Sequence, residues 1–339
     1  MEHPYSIPNI KMTKHDYCEI ETALESGWVS IGQRVDLLSD LCKERYGVKH
    51  ALPCCNATQG LTIAIKAAGW SEKPIKLPSF TWPSTAYSAQ CCSSPIVYGD
   101  IDTKTWIMKA SSGFNNIVVD TFGSEAQTEY PEKTIFDAAH GWDNPNLGNR
   151  GLAEVVSFSF TKNVTGCEGG IILTNNNELA RTARELIRLS ARMSELHAAV
   201  TISSIASWDN ELKDSRAELI TAYNKGISKT HTKQQIDIAT NHSVYGMLFD
   251  TPQETMKIAM SLATAGFETK RYYEPIINTK DLNSTRYVYD RILCLPVHRK
   301  AHIHQDEIID IINHPKTKTP GKEFLTRRPS EDNSNTTVL

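Results

Sequence analysis

Val155-Val156-Ser157-Phe158-Ser159-Phe160-Thr161-Lys162-Asn163-Val164-Thr165-Gly166-Cys167-Glu168-Gly169-Gly170 is the stretch from which the rest of this chain is best read. Val155 to Phe160 is an apolar run of strand length. A lysine follows in a tight loop, and a Gly-Gly step leads into a second apolar run, Gly170 to Thr174. A lysine held off the end of a sheet can be partly desolvated, which leaves a neutral amine free to attack a carbonyl. Taken alone, the pattern fits a surface lysine in a hairpin equally well.

Moving outward, similar short apolar runs occur at Asn116 to Asp120 and at Thr134 to Asp137, with further candidate strands at His50 to Cys54, Pro74 to Pro78 and Pro95 to Ile101. They do not alternate strictly, which suits strands covered on both faces in a mostly parallel sheet. Between them, helical spacing predicts helices over 14–26, 33–46, 58–69 and 83–92. Others are expected over 177–189, behind an Asn-rich cap, and over 193–225. Residues 226–314 change character, with helices predicted at 252–265 and 304–313 and strands at Val244 to Phe249 and Arg291 to Leu295. The expected fold is therefore α/β: a mostly parallel mixed sheet flanked by helices in residues 1–225, and a smaller α+β domain in 226–314. The polar tail, 315–339, is expected to be disordered.

The bulk properties narrow the function. A length of 339 residues suits about two domains, and 40% hydrophobic residues suffice for a sizeable core. A net charge of −3 argues against nucleic acid as the main partner. No signal peptide or membrane span is evident. Eight cysteines, two pairs of them adjacent and none in a CxxC, fit neither a zinc site nor a disulfide framework. They read as reduced, mostly buried thiols of a cytoplasmic protein.

Several other residues stand just after candidate strands, where ligands bind in open α/β sheets. Asp137 ends a buried strand, and a carboxylate there is costly unless paired; a protonated pyridine nitrogen would be such a partner, although an Asp capping a following helix is equally compatible. Ala57 and Thr58, between a strand and a helix, offer free amides and a hydroxyl to a phosphate, with a plain helix cap as the alternative. Trp82 could stack on a flat ring or simply pack. In chain order these make a phosphate cradle, an aromatic plate, a carboxylate, a serine and a lysine.

The lysine segment resembles the lysine loop of the DegT/DnrJ/EryC1/StrS family of fold-type-I pyridoxal-phosphate (PLP) enzymes, mostly nucleotide-sugar aminotransferases. The resemblance extends over roughly residues 15–312. It rests on Gly27-Trp28-Val29-Ser30, Asn56-Ala57-Thr58, Pro78-Ser79-Phe80-Thr81-Trp82, Asp100-Ile101-Asp102 and Asp137-Ala138-Ala139-His140. The lysine loop itself, Arg192-Met193-Ser194-Glu195 with Ala198-Ala199, and Leu293-Cys294-Leu295-Pro296 complete the set. It implies that Lys162 carries PLP as a Schiff base, that Asp137 contacts the pyridine nitrogen, that Trp82 stacks on the ring and that His140 lies near its phenolic oxygen. Ala57, Thr58 and Ser157 would hold the phosphate. It further implies a homodimer with shared active sites and amino transfer from glutamate to a nucleotide-linked keto-sugar.

One departure stands out: the family's loop before the Arg-Met segment is shortened here. Ser190 occupies the place of an Asn that reaches a neighbouring subunit's phosphate. Two alternatives remain open at this stage. One is a PLP enzyme acting on a keto-cyclitol or another ketone. The other is a PLP-binding protein without catalysis, which the shortened loop favours; dehydrating relatives carry histidine in place of Lys162.

Overall fold

The computed structural model describes residues 14–236, 238–277 and 280–316. Most of the predicted polar tail lies outside these residues. Two helices open the fold, α1 (Lys14–Glu25) and α2 (Gln33–Tyr46), followed by β1 (His50–Cys54) and α3 (Ala57–Ala67). Then come β2 (Ile75–Pro78), α4 (Pro83–Gln90), β3 (Ile96–Gly99), β4 (Asn115–Val119), β5 (Thr134–Asp137), β6 (Ala153–Ser157) and β7 (Gly170–Thr174). These strands form one seven-stranded sheet in the order β1-β7-β6-β5-β4-β2-β3. Only β7 runs against its neighbours, β1 and β6; every other pairing is parallel.

Helices α5 (Asn177–Ser190), α6 (Glu195–Ser207) and α7 (Lys213–Gly226) follow. The single helix expected over 193–225 is interrupted by a wider π-type turn at Trp208–Leu212. The interruption serves two different packings. Ala198 and Ile205 of α6 belong to a core shared with α2 and β7, whereas Leu219, Ile220 and Tyr223 of α7 join the C-terminal core. Within the turn, Asp209 makes a bidentate pair with Arg45 of α2.

The rest of the chain contributes β8 (His231–Lys233), β9 (Tyr245–Phe249), α8 (Pro252–Thr264), α9 (Asn283–Arg291), β10 (Ile292–Leu295), α10 (Arg299–Ile303) and α11 (Gln305–Asn313). Its strands form an antiparallel sheet, β10-β9-β8. The two sheets meet through a shared aromatic cluster, in which Phe80, Trp106, Phe122 and Phe136 pack with Leu248, Ile292, Cys294 and Tyr273.

Helix α9 was not expected, and the reason is instructive. Its first amides are satisfied not by a local cap but by Asp100, which accepts from Ser284 N and Thr285 N at 2.8 Å each. Glu195 caps α2 in the same long-range way, accepting from Arg34 N at 2.9 Å and Val35 N at 3.0 Å. None of the eight cysteines is in a disulfide; Cys42, Cys54, Cys92 and Cys294 are buried, while Cys18, Cys91 and Cys167 are exposed, so burial is less general than expected. No helix among the described residues is long and apolar enough to cross a membrane.

Candidate active site

Strand register brings three segments to one end of the large sheet. Gly170, the first residue of β7, pairs with Cys54 on one side and Ser157 on the other. One strand further along, Asp137 pairs with Val155. The turn after β1 and the end of β6 are therefore two strand spacings apart, with only a glycine between them. The gap has no room for a side chain: a Cβ on Gly170 would stand 2.7 Å from Ala57 N and 2.8 Å from the Asn56 carbonyl carbon.

In that turn Asn56 caps α3, its side chain accepting from Gln59 N at 2.8 Å. Ala57 is buried and Thr58 half-buried at the helix start, and Ser157 is buried facing them across Gly170. Ser157 Oγ accepts from Ser159 N at 3.3 Å, where the chain leaves the sheet earlier than the expected strand end at Phe160.

The lysine loop is closed by its own backbone. Phe158 N donates to Gly169 O at 2.9 Å, Gly166 N to Phe158 O at 2.8 Å, and Lys162 N to Ser159 O at 3.0 Å. Cys167 completes the turn in the left-handed region at φ 65°. The loop directs Lys162 inward, where Nζ lies 2.9 Å from His140 Nε2. Burial lowers the Lys162 ammonium to about 8, against an opposing pull from Asp137. A substantial fraction of this amine is thus neutral near pH 8, as a nucleophile requires.

Asp137 is 5% exposed. Among the described residues its hydrogen bonds come from neutral donors, Thr85 Oγ1 at 2.6 Å and Ala139 N at 3.2 Å. Burial raises its pKa, and Thr85, Ala139 and Lys162 pull the other way. Below it, Arg150 is sandwiched between Asp120 at 2.8 Å and Glu154 at 2.5 Å, with its guanidinium 4.3 Å from the centre of the Phe136 ring. His140 is neutral, held well below its usual range by burial, then by Lys162 and Arg216. Its Nδ1 meets Ser243 Oγ at 2.7 Å, and its Nε2 also lies 3.2 Å from Tyr273 OH.

Trp82 precedes α4 and is 58% exposed, with its ring edge-on to Tyr272 at 6.4 Å. Ser190 is the one predicted site residue that stays apart: it is exposed on the last turn of α5, and its hydroxyl donates to Leu186 O at 3.0 Å. Its neighbour Ala191 does reach the phosphate turn, accepting from Cys55 N at 2.9 Å. Sequence reasoning missed Thr85, Ser243, Tyr273 and Arg216. Thr85 sits three residues beyond Trp82 on the predicted helix and was within reach; the other three come from the C-terminal half with no local signal.

The DegT/DnrJ/EryC1/StrS aminotransferase family model matches residues 11–118 and 127–314. A curated relative from Campylobacter jejuni, UDP-4-amino-4,6-dideoxy-N-acetyl-beta-L-altrosamine transaminase, is 25% identical over an alignment of 355 positions that spans 88% of this chain and 93% of the relative. Among solved structures, DesI in the presence of its TDP-sugar product superposes with a TM-score of 0.80 at 24% identity, spanning 93% of this chain and 94% of DesI. Helicobacter pylori PseC, an aminotransferase involved in the biosynthesis of pseudoaminic acid, gives 0.78 at 21% identity, spanning 91% of this chain and 98% of PseC. With the fold, the register at the sheet end and the family match in agreement, this chain belongs to the DegT/DnrJ/EryC1/StrS aminotransferase family and is a PLP-dependent aminotransferase of fold type I.

Proposed function

We propose that the enzyme moves an amino group from glutamate to the keto group of a nucleotide-linked hexose or deoxyhexose in amino-sugar biosynthesis, with Lys162 as the residue that carries the cofactor. The observation that supports this most strongly is the buried Lys162 amine, 2.9 Å from His140 and lowered to about 8 beside a buried carboxylate. The sugar substrate class is inferred from the relatives, one named as a transaminase of a UDP-linked amino sugar and one solved with a TDP-sugar product.

The residues present fit PLP. Asp137 is a buried carboxylate hydrogen-bonded to neutral donors, so a pyridinium would supply a cationic hydrogen-bond partner. The start of α3 and Ser157 face each other across a glycine too crowded for any side chain, an arrangement suited to a phosphate at a helix N-terminus. When bound, PLP supplies an electron sink for the pair of electrons left at the donor's α-carbon. With the cofactor in place, Lys162 Nζ would be the group that moves the proton to and from that carbon. Asp137 would keep the ring nitrogen protonated, while Thr85 and the Ala139 amide hold Asp137 in place. Trp82, already exposed at the mouth, is free to cover one face of a flat ring. His140 would meet the ring's phenolic oxygen through Nε2.

We further propose a cytoplasmic homodimer with shared sites. Phe160 in the lysine loop is 48% exposed, Leu189 at the end of α5 is 76% exposed and Trp28 is 63% exposed, apolar surface that a partner subunit would cover. Ser190, standing next to Leu189, would then approach the partner's phosphate turn.

The test is an absorbance spectrum of the protein with PLP, before and after glutamate. A band at the visible edge that moves to the near ultraviolet on adding glutamate, and that Lys162→Ala never forms, is the expected result. A band unmoved by glutamate would point to another donor or to a binder without catalysis. A normal band in Lys162→Ala would remove Lys162 from its role.

A further inference from the structure

His140 is held at both ring nitrogens, and the residue on its far side comes from the C-terminal half of the chain. Nδ1 lies 2.7 Å from Ser243 Oγ, while Nε2 lies 2.9 Å from Lys162 Nζ and 3.2 Å from Tyr273 OH. Ser243 is itself tightly fixed. Its N–H donates to Asn241 Oδ1 at 2.8 Å, and its carbonyl accepts from Arg216 Nη1 at 3.3 Å. Arg216 Nη1 also reaches His242 O at 3.1 Å, with His242 in the left-handed region at φ 47°. Asn241 Nδ2 donates to His140 O at 2.5 Å and Trp142 O at 2.6 Å. The 241–243 turn is thus tied both to the backbone around His140 and to its ring.

This geometry decides where the single proton of the neutral ring resides. Ser243 is 8% exposed, and among the described residues the only hydrogen-bond partner of its hydroxyl is Nδ1. If Nδ1 carried the proton and donated to Oγ, the buried hydroxyl would be left with no acceptor for its own hydrogen. The favoured arrangement has Oγ–H donating to Nδ1, which places the ring proton on Nε2. Nε2–H then faces Lys162 Nζ. That nitrogen can accept only as a free amine; an ammonium there would set donor against donor.

We propose that Ser243 is a positioning residue that fixes His140 as its Nε2–H tautomer and thereby holds Lys162 as a free amine, ready to capture a carbonyl. Other groups act on the same lysine. Asp137 on β5 pulls it towards the ammonium, while Arg216 on α7 acts on His140 instead and disfavours a positive charge on that ring. Tyr273 and its neighbour Tyr272 stay neutral because burial raises both, and His242 is held neutral at about 4. Of these, Tyr273 also bears on the tautomer of His140, since its O–H donating to Nε2 would favour the opposite one; at 3.2 Å against the 2.7 Å of Ser243 at Nδ1, the shorter contact decides. The significance for catalysis rests on the reading of Lys162 as the cofactor lysine, but the proton arrangement itself does not.

The experiment uses the full-length, cofactor-free protein. Competitive labelling with acetic anhydride, quantified at Lys162 by mass spectrometry across pH, reads the fraction of free amine directly. The wild type should show a midpoint near 8. Ser243→Ala lets the ring flip and accept from the ammonium, so its midpoint should rise by about one pH unit, a roughly tenfold loss of reactivity at neutral pH. Ser243→Thr, which keeps the hydroxyl, should restore the wild-type midpoint. Coincident midpoints for wild type and Ser243→Ala, or a Ser243→Thr as displaced as Ser243→Ala, would overturn the proposal. Should Ser243→Ala not fold, the wild type decides by 15N-histidine NMR, with His140 assigned by its absence in His140→Gln. An unprotonated Nδ1 and a protonated Nε2 are expected, and the reverse pattern refutes the claim. Borohydride reduction of the PLP-loaded protein tests the cofactor reading separately: failure to mark Lys162 would sink that reading while leaving the labelling result intact.

Discussion

Substituting Gly170 by Ala tests the cofactor's phosphate site through a single methyl group. The added Cβ would lie 2.7 Å from Ala57 N, 2.8 Å from the Asn56 carbonyl carbon and 3.0 Å from Ala57 Cα. All three are backbone atoms, so no flexible side chain can yield. Ordinary contact begins at 3.4 Å, so the start of α3 must retreat from β7 by about 0.7 Å. Overpacking of this kind costs about 1–3 kcal/mol of stability. The larger consequence is for a phosphate held between the α3 amides and Ser157, which lie on opposite sides of Gly170. Losing one charge-assisted hydrogen bond there costs about 1.5–3 kcal/mol, or roughly tenfold to a hundredfold in PLP affinity. The assay is a pair of spectroscopic titrations, one with PLP and one with pyridoxal, which lacks the phosphate. The variant should lose PLP affinity by that factor and pyridoxal affinity far less. If both aldehydes weaken alike, or neither does, the phosphate is not bound where this geometry puts it.

Three further outcomes are expected. Arg150→Met removes the cation between Asp120 and Glu154, which are 0% and 1% exposed, and should destabilise the protein by about 3–5 kcal/mol in denaturant titrations; an unfolding midpoint like the wild type's would show that the triad does not matter. In the cofactor-free protein Lys162 titrates near 8 when folded but near 10.5 when unfolded, so the unfolded chain binds the extra proton between those values and stability should climb with pH, by up to about 1.4 kcal/mol per unit. That increment should be missing from Lys162→Met, and identical slopes in the two proteins would contradict the buried-amine argument. Thr85→Val removes the 2.6 Å donor to Asp137, whose pKa is already raised, so PLP affinity should fall by about tenfold and fall further at acidic pH than at alkaline pH; a uniform loss across pH would mean that Thr85 acts only by packing.

Much of the framework could be read residue by residue because it is local. His50–Cys54, Thr134–Asp137 and Gly170–Thr174 are strands over the predicted bounds, since each is a short apolar run flanked by turn residues. Where the prediction overran, a tertiary contact intervened. The expected strand to Phe160 stops at Ser157 because Phe158 N turns to bond Gly169 O and begin the lysine loop. The expected helix over 193–225 breaks at Trp208–Leu212 because its two halves serve different cores. Helix α9 escaped notice because its cap, Asp100, lies 184 residues upstream of Ser284.

The candidate site divides in the same way. Lys162, Asp137, His140, Ser157, Ala57 and Thr58 could be singled out because each ends or follows a strand, and parallel strands deliver their C-terminal ends to one edge whatever the details of packing. The sequence by itself therefore determined the family, the kind of cofactor and the order of groups along the sheet. Only the tertiary structure decided which neutral donors hold Asp137, which carboxylates share Arg150, and that Ser243 and Tyr273 reach His140 from more than a hundred residues away. Periodicity and turn chemistry are properties of neighbours in the chain. The protonation state of a buried lysine depends instead on every group within hydrogen-bonding reach, and that company is assembled only when the two sheets come together.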